Sequence, residues 1–322
     1  MTQFWFAGST EQFMPSEMLE HAQEAERSGF DALAASDHFA PWWPDGKGTQ
    51  SWVTLAAIGQ KTTKPIGTSV TPVVHHYHPG VVAQAFMALE DLYPGRVFLG
   101  VGSGESVNEV PLGADWPSVG EQIERMDQGL EAITRLWNGE TVTMDGGWFK
   151  LKEAKLYSLA QSKPRLYVSA FGPQAAKVAA KYGDGLWTLG DPESAPEIID
   201  AYRSAGGRGE IILQAGFSLG TDEQAAIEGA RMWKATQRPD VYKEEIPDPA
   251  DMLARADEEM SDEEFAKEGF LVGADPEEQI GRIREMEQAG GTVICLQVIG
   301  ADPVGSIRRY GEHVLPALRG GA

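Results

Sequence analysis

The sequence predicts a (β/α)8 TIM barrel that carries two insertions. Eight short, mostly apolar runs occur along the 322 residues, and most of them are followed by a segment whose apolar residues have helical spacing. No Gly-x-Gly-x-x-Gly follows the first run, which disfavours an open Rossmann sheet. We therefore expect one domain over residues 1–322, with barrel strands at 3–8, 31–36, 65–70, 96–101, 165–170, 185–188, 210–217 and 292–298.

Helices are expected between these strands. Pro15-Ser16-Glu17 opens the first helix, with Ser16 as the expected N-cap and Gly29 as the residue that ends it. Ser118 is expected to cap a long helix whose inner stripe ends at Trp137. The remaining helices are predicted over residues 52–62, 79–92, 173–182, 195–204, 222–235, 276–289 and 304–318.

Two segments break the alternation of strands and helices. In residues 138–163, alternating side chains flank Asp145-Gly146-Gly147, which predicts a β-hairpin. Residues 236–268 are acidic and contain proline, and we expect a helical insertion there rather than a linker.

Charge and composition limit the classes of function. The net charge is −21 and the pI is near 4.7, so we expect neither a nucleic acid nor a membrane as partner, because both carry negative charge. The N-terminal residues do not resemble a signal peptide, and no run reaches the roughly 18 apolar residues of a membrane helix. One cysteine, Cys295, lies in an apolar run, so we expect a buried thiol and a cytoplasmic protein.

The stretch from Ser36 to Trp43 follows the second predicted strand. Asp37-His38 provides a proton-transfer pair where a barrel places its chemistry, and Trp42 supplies an aromatic wall for a flat ligand. The same residues fit a structural role, in which Asp37 caps the next segment and the tryptophans cover a loop. This stretch by itself leaves both interpretations open.

Small, polar and aromatic residues follow several other predicted strands. Because the C-terminal ends of all barrel strands meet at one rim, we expect these side chains to surround one ligand-binding mouth. The residues expected at this rim include Glu11, Ser69, Val70, Thr71, His75, Ser103, Gly104, Glu105, Asn108, Phe171, Gly172 and Thr188.

Three features of this rim each have two interpretations. Gly172-Pro173 opens a helix whose N-terminus can hold a phosphate, although an ordinary turn is more common. Glu105 near Asp37-His38 would supply an acid and a base of different pKa, or it caps a turn. The histidines of His75-His76-Tyr77-His78 lack carboxylate partners at a fixed spacing, so we expect no metal and favour solvated or substrate-lining side chains.

Several motifs, some at this rim and some elsewhere in the chain, together resemble those of a known protein family. The motifs are Asp37-His38-Phe39-Ala40-Pro41-Trp42, Tyr77-His78-Pro79, Ala83-Gln84-Ala85-Phe86, Tyr93-Pro94-Gly95-Arg96-Val97, Gly100-Val101-Gly102-Ser103-Gly104-Glu105, Asn108-Glu109, Trp116-Pro117-Ser118 and Lys152-Glu153-Ala154-Lys155-Leu156-Tyr157. In this order and spacing the chain resembles the bacterial-luciferase-like oxidoreductases, and more narrowly the branch that uses the deazaflavin coenzyme F420. The resemblance covers nearly the whole chain and is densest over residues 1–190.

The resemblance implies a homodimeric barrel with the deazaflavin in its mouth, and hydride transfer between coenzyme C5 and a substrate carbon. It implies His38 as the base on the substrate hydroxyl, Glu105 as the proton partner at ring N1, and Trp42 as support for charge near the reacting carbon. A non-proline cis peptide is implied between Ser69 and Val70. Coenzyme contacts are implied for Asp37, Ser69, Val70, Thr71, Ser103, Gly104, Asn108, Phe171, Gly172, Gln174 and Ala175, and Glu11, His75 and Thr188 are expected to line the substrate.

The chain departs from relatives that oxidise glucose 6-phosphate. Those relatives bind the phosphate with a lysine after strand six and with basic residues in the late insertion. Here Asp191 follows strand six and the insertion is acidic, so we expect a neutral alcohol, ketone or enone instead. Three alternatives stay open: an FMN-dependent monooxygenase or flavin oxidoreductase, a non-catalytic flavin-binding protein, and a zinc hydrolase built on the histidine cluster.

Overall fold

A closed barrel of parallel strands forms the body of the protein. The computed structural model describes residues 1–237, 242–268 and 270–320. Within them the strands are β1 (Gln3–Gly8), β2 (Ala32–Ala35), β3 (Ile66–Thr68), β4 (Thr71–Pro72), β5 (Val97–Gly102), β6 (Val142–Asp145), β7 (Lys150–Ala154), β8 (Arg165–Ser169), β9 (Gly185–Leu189), β10 (Glu210–Leu219), β11 (Leu271–Gly273) and β12 (Val293–Val298). The ring runs β1-β2-β3-β5-β8-β9-β10-β12 and closes where β12 pairs with β1. The predicted (β/α)8 barrel and the positions of its strands are confirmed.

Helices surround the ring. In the described residues they are α1 (Pro15–Arg27), α2 (Ser51–Lys61), α3 (Pro79–Leu92), α4 (Ser106–Glu109), α5 (Val119–Trp137), α6 (Pro173–Tyr182), α7 (Ala195–Ser204), α8 (Glu223–Ala230), α9 (Pro249–Glu259), α10 (Asp262–Glu268), α11 (Pro276–Gln288), α12 (Pro303–Arg309) and α13 (Leu315–Gly320). No helix among the described residues combines the length and apolarity that crossing a membrane requires.

Helix ends follow the predicted capping in one case and depart from it in another. The Ser118 side chain accepts from the backbone N–H of Glu121, which confirms it as the N-cap of α5. The prediction of Ser16 as the N-cap of α1 is wrong, because the helix begins at Pro15 with Met14 as its cap. There the Met14 backbone N–H donates to Glu17 Oε2 at 2.8 Å.

Two predicted helices change form along their length. Helix α8 ends at Ala230 and the chain continues as a 3-10 helix over Arg231–Gln237, which buries Trp233 and Lys234. The last predicted helix is divided by a wider π-helical turn over Tyr310–Val314, where Gly311 packs so closely on Ser28 that a Cβ would lie 2.7 Å from that side chain.

The two insertions have different structures. Strands β6 and β7 form the predicted antiparallel hairpin. The second insertion contains helices α9 and α10, as expected for a helical segment, and its residues 238–241 lie outside the described residues. We call the 3-10 segment Arg231–Gln237 with α9 and α10 the cap. Buried Lys234 joins the parts of the cap, because its Nζ lies 2.5 Å from Asp257 Oδ1 and 2.7 Å from Asp262 Oδ1.

Aromatic side chains fill the interior of the barrel below its mouth. Trp5 contacts the rings of Phe98, Tyr167 and Trp187 at centroid distances of 4.9, 5.4 and 6.0 Å. Gly67 makes room for this layer, since a Cβ there would lie 2.1 Å from the Phe98 carbonyl oxygen. Cys295 is fully buried in the same cluster. Because these side chains fill the interior, the barrel is not an open pore, and a cavity at the C-terminal ends of the strands lies above this aromatic layer.

Candidate active site

A cavity of about 900 Å³ opens at the C-terminal ends of the strands. Its size is within the range of small-molecule and cofactor sites. Of the residues predicted at the rim, the lining includes Glu11, His38, Trp42, Ser69, Val70, Glu105, Phe171 and Thr188. The barrel therefore brings together side chains that are spread over much of the chain.

His38 and Glu11 face each other at one wall of this cavity. Nε2 of His38 lies 3.5 Å from Oε1 of Glu11, and the two side chains are 9% and 2% exposed. The other carboxylate oxygen of Glu11 accepts hydrogen bonds from Ser36 Oγ and, at 3.3 Å, from Thr10 Oγ1. These hydroxyls hold Glu11 in place, so that one of its oxygens remains available beside His38.

Asn108 connects His38 to Glu105. Its Oδ1 accepts from the backbone N–H groups of Phe39 at 3.0 Å and Ala40 at 3.1 Å. Its Nδ2 lies 3.1 Å from His38 Nδ1 and donates to Glu105 Oε2 at 3.1 Å. One fully buried amide thus holds the loop after β2 and both titratable side chains.

The charges of these buried groups are coupled. Burial lowers the pKa of His38, but the nearby carboxylates Glu11 and Glu105 raise it by more, so the pKa is above its usual value. Burial also raises the pKa of Glu105. The positive charge of His38 lowers this pKa by a smaller amount. The site therefore holds a histidine and a carboxyl group that both retain protons above their usual pH ranges.

Asp37 lies behind this wall and accepts three hydrogen bonds. Thr71 Oγ1 donates to its Oδ2 at 2.6 Å, Trp52 Nε1 donates to the same oxygen at 3.1 Å, and the Tyr77 hydroxyl donates to Oδ1 at 3.2 Å. Burial raises the pKa of Asp37, although the hydrogen bond from Thr71 opposes that shift. The contacts fix the loop rather than cap a helix.

The expected cis peptide between Ser69 and Val70 is present, between β3 and β4. Both residues line the cavity. The Ser69 hydroxyl is buried and makes no hydrogen bond to the described part of the protein. A buried hydroxyl at a cavity wall normally has a partner, so a polar atom of a ligand is the partner that we expect here.

The loop after β5 and the histidine cluster lie beside the cavity. Gly104 has φ +81°, and a Cβ there would lie 2.7 Å from Glu109 Oε1. Ser103 precedes it in the same loop.

The histidine cluster lies beside this loop. His75 is outside the cavity lining, with its ring 5.4 Å from that of Trp116. The Nδ1 atom of His76 lies 2.6 Å from Glu109 Oε2. In the described residues, no group of three or more His, Cys, Asp or Glu side chains is arranged to hold a metal.

The start of α6 forms another edge of the mouth. Gly172 is the N-cap of this helix, and since glycine has no side chain, it does not bond the first backbone N–H groups. Gln174 is exposed and Ala175 is buried, so only the former can present its side chain to a ligand from solvent. Phe171, one residue earlier, lines the cavity itself.

Tyr242 is a cavity residue that was not predicted. Its ring lies 6.1 Å from that of Trp42 and 5.0 Å from that of Phe171, and burial raises its pKa. Trp187 lies in a predicted strand, is not among the predicted site residues, and also lines the cavity. The sequence offers no local pattern for Tyr242, because its position depends on how the insertion folds over the barrel.

The chain is similar in sequence to a known family and to several curated proteins. A family model described as luciferase-like monooxygenase matches residues 1–293. The chain belongs to this family. It is 36% identical to the F420-dependent glucose-6-phosphate dehydrogenase of Nakamurella multipartita over 98% of the chain and 96% of that protein. It is 34% identical to the F420-dependent hydroxymycolic acid dehydrogenase of Mycobacterium tuberculosis over 97% of the chain and 87% of that protein.

One solved structure is also similar to this chain over its full length. The F420-dependent secondary alcohol dehydrogenase in complex with an F420-acetone adduct matches with a TM-score of 0.92 and 34% identity, over 99% of both chains. These comparisons confirm the resemblance drawn from the motifs. The names of these three relatives give three different substrates, so the similarity does not identify the substrate of this chain.

The outer part of the cavity is lined by more acidic than basic side chains. Asp191, Glu193 and Glu285 line it, together with the cations Lys243 and Arg282. Arg282 is occupied, because its Nη1 donates to the backbone carbonyl oxygens of Phe270 and, at 3.3 Å, Ala266. Asp191 accepts from the Ser194 hydroxyl at 2.5 Å and from the backbone N–H of Glu193 at 3.1 Å.

Proposed function

We propose that this protein is a coenzyme F420-dependent oxidoreductase that transfers a hydride between the deazaflavin and a small, non-phosphorylated alcohol or carbonyl compound. The observation that carries the proposal is the cavity wall on which His38, Glu11 and Glu105 lie together. It occurs in a chain 34% identical, over 99% of its length, to a secondary alcohol dehydrogenase that holds an F420-acetone adduct.

The residues present fit a flat deazaflavin. The buried hydroxyl of Ser69 has no partner in the described part of the protein, and Trp42 and Phe171 supply aromatic surface in the same cavity. We propose that the coenzyme is held by Asp37, Ser69, Val70, Thr71, Ser103, Gly104, Asn108, Phe171, Gly172, Gln174 and Ala175. When bound, the deazaflavin would accept or supply the hydride at C5.

The chain itself handles protons and excludes water. His38 and Glu11 lie 3.5 Å apart at a wall that is almost closed to bulk solvent, so both can reach one substrate oxygen. Glu105 has a raised pKa because of burial, which suits a group that exchanges a proton with the coenzyme ring. Trp42, with its ring 5.1 Å from that of His38, closes the wall beside the reacting carbon.

The charge of the outer cavity supports a substrate without a phosphate group. Its lining has three carboxylates, Asp191, Glu193 and Glu285, against Lys243 and the occupied Arg282. A dianionic sugar phosphate would be repelled there. Glu11 and Thr188, which line the cavity, are proposed to contact the substrate, whereas His75 lies outside the lining and packs against Trp116.

Coenzyme binding tests the first part of the proposal. Trp42 and Trp187 line the cavity, so bound F420 is expected to quench tryptophan fluorescence, whereas FMN is expected to bind weakly or not at all. Tight FMN binding without F420 binding would overturn the choice of coenzyme. A screen of oxidised F420 with alcohols, and of reduced F420 with ketones, aldehydes and enones, then tests the substrate class against glucose 6-phosphate as comparison.

We further propose that the enzyme works in the cytoplasm as a homodimer, with neither nucleic acid nor membrane as partner. The single cysteine is buried, which fits a reducing compartment. Val53 on α2 and Val81 on α3 are 71% and 53% exposed, and such apolar side chains are available for contact between subunits. Sedimentation of the wild type and of Val53→Asp tests this, and a wild-type monomer at micromolar concentration would contradict it.

A further inference from the structure

The orientation of the Asn108 amide is fixed by its surroundings. Its Oδ1 lies 3.0 Å from the Phe39 backbone nitrogen and 3.1 Å from that of Ala40. Two N–H donors require an acceptor, so the oxygen must face them and the NH2 group must face the opposite side. A flipped amide would place its NH2 group against two donors and its oxygen against the Glu105 carboxylate.

The NH2 group therefore faces His38 Nδ1 and Glu105 Oε2, both at 3.1 Å. One of its N–H bonds donates a hydrogen bond to Glu105, and the other N–H bond points at His38 Nδ1. A ring nitrogen that accepts a hydrogen bond must carry no proton of its own. Neutral His38 consequently carries its own proton on Nε2, the nitrogen beside Glu11 Oε1.

The Ala40 carbonyl oxygen is the competing partner of Nδ1, at 3.3 Å. It can accept a hydrogen bond from the Nδ1–H group when the ring is an imidazolium, in which both nitrogens are protonated. In that state Nε2 still carries a proton. His38 therefore presents a proton at Nε2 in both of its common charge states.

We propose that Asn108 is a positioning residue that sets the tautomer of His38, so that His38 donates a hydrogen bond to the substrate oxygen and Glu11 accepts the hydroxyl proton. This assignment differs from the resemblance, which implies that His38 is the base. The tautomer is a property of the protein by itself, whereas its catalytic consequence rests on the proposed function.

The proton step balances with these groups. During alcohol oxidation the substrate O–H bond breaks, and the proton forms an O–H bond with the Glu11 carboxylate. The electron pair stays on the substrate oxygen and forms the carbonyl as the carbon gives up its hydride to the oxidised coenzyme of the proposed function. Ser36, which donates to the other oxygen of Glu11, keeps the accepting oxygen directed at the cavity.

Nitrogen-15 NMR of histidine-labelled protein tests the tautomer without coenzyme or substrate. The His38 signals are assigned by their loss in His38→Gln, and spectra are taken above the pH at which His38 loses its charge. The wild type is expected to show protonated Nε2 and unprotonated Nδ1. A proton on Nδ1 in the wild type would overturn the inference.

Asn108→Asp is the matched variant, since a carboxylate can still accept from the two backbone N–H groups while it places an acceptor at Nδ1. We expect the His38 proton to move to Nδ1 in this variant and to stay on Nε2 in Asn138→Asp, the control at the C-cap of α5. Unchanged signals of the other histidines show that Asn108→Asp is folded. A folded Asn108→Asp protein with the wild-type tautomer contradicts the inference.

Single-turnover alcohol oxidation tests the role of Glu11. Glu11→Gln is expected to lower the rate by about 10²–10⁴-fold, the usual contribution of a general base. His38→Gln is expected to lose less, because the amide N–H of glutamine can still donate to the substrate oxygen. A larger loss in His38→Gln would return the role of base to His38 and leave the proposed function in place.

Discussion

His38 Nε2 and Glu11 Oε1 lie 3.5 Å apart, although the two residues follow different strands of the barrel. The distance is longer than a good hydrogen bond, so neither atom is fully committed to the other. A substrate oxygen can therefore be held between them.

Glu11→Gln is expected to lower the pKa of His38, because the Glu11 carboxylate is the strongest of the charges that raise it against burial. A raised pKa in the folded state stabilises the protein at low pH, and this contribution is lost as the pH rises through that pKa. The variant should therefore lose stability mainly on the acid side. NMR titration of His38 and urea unfolding over pH measure both effects, with exposed Glu20→Gln as control. An unchanged His38 pKa would contradict the coupling.

Glu105→Gln is expected to lower kcat for hydride transfer by about 10²–10⁴-fold, the range for loss of a general acid or base. Glutamine keeps an acceptor for Asn108 Nδ2, so the fold and the loop after β2 should be retained. Stopped-flow measurement with F420 separates this step from coenzyme binding. Glu124→Gln on the exposed face of α5 is the control, and a kcat equal to that of the wild type would exclude a proton-transfer role for Glu105.

Asp191→Asn is expected to improve the binding of sugar phosphates about fivefold, since removing one carboxylate near an anion gains about 1 kcal/mol at the surface. The KM for neutral alcohols should stay the same. Asparagine can still accept from Ser194 and Glu193, so the turn before α7 is kept. Competition by glucose 6-phosphate measures the effect, and Asp200→Asn on α7 is the control. Equal inhibition of both variants would show that the charge of Asp191 does not select the substrate.

Trp233→Ala is expected to destabilise the protein by about 3–5 kcal/mol, as is usual for a buried aromatic side chain. The Trp233 ring packs 5.2 Å from that of Trp43, and its Nε1 donates to Gln12 at 3.0 Å. Thermal unfolding measures the loss, and limited proteolysis should cut the cap first. Tyr157→Ala, at a side chain that is 92% exposed, should change stability by less than about 0.5 kcal/mol. Equal stability of the two variants would contradict the idea that Trp233 anchors the cap to Trp43 and Gln12.

The fold was predictable from sequence because each barrel strand is a buried run bounded by a turn or a helix signal. The site was partly predictable for the same reason, since Asp37, His38 and Glu105 directly follow strands. The start of α1 was missed because Pro15 and Glu17 together outweigh Ser16 as signals for the first turn.

The contacts across the mouth could not be predicted from local pattern. Tyr242 reaches Trp42 from an insertion about 200 residues later in the chain, so no spacing connects the two. The bridge made by Asn108 depends on the backbone N–H groups of Phe39 and Ala40, which any residue type except proline would supply. Such contacts require the folded loop, and sequence periodicity contains no information about it.

One apolar cluster joins the cap to the barrel loops, because Trp233, Met252 and Phe265 pack together with Trp42 and Trp43. The barrel core has separate clusters. Mutations at exposed positions of α9 and α10 can therefore accumulate without disturbing the packing of the strands that precede His38 and Glu105, whereas Trp233, which packs on Trp43, must be kept. Evolution can then vary the exposed surface of the cap separately from the barrel core, and directed evolution of the proposed substrate range should begin with that surface.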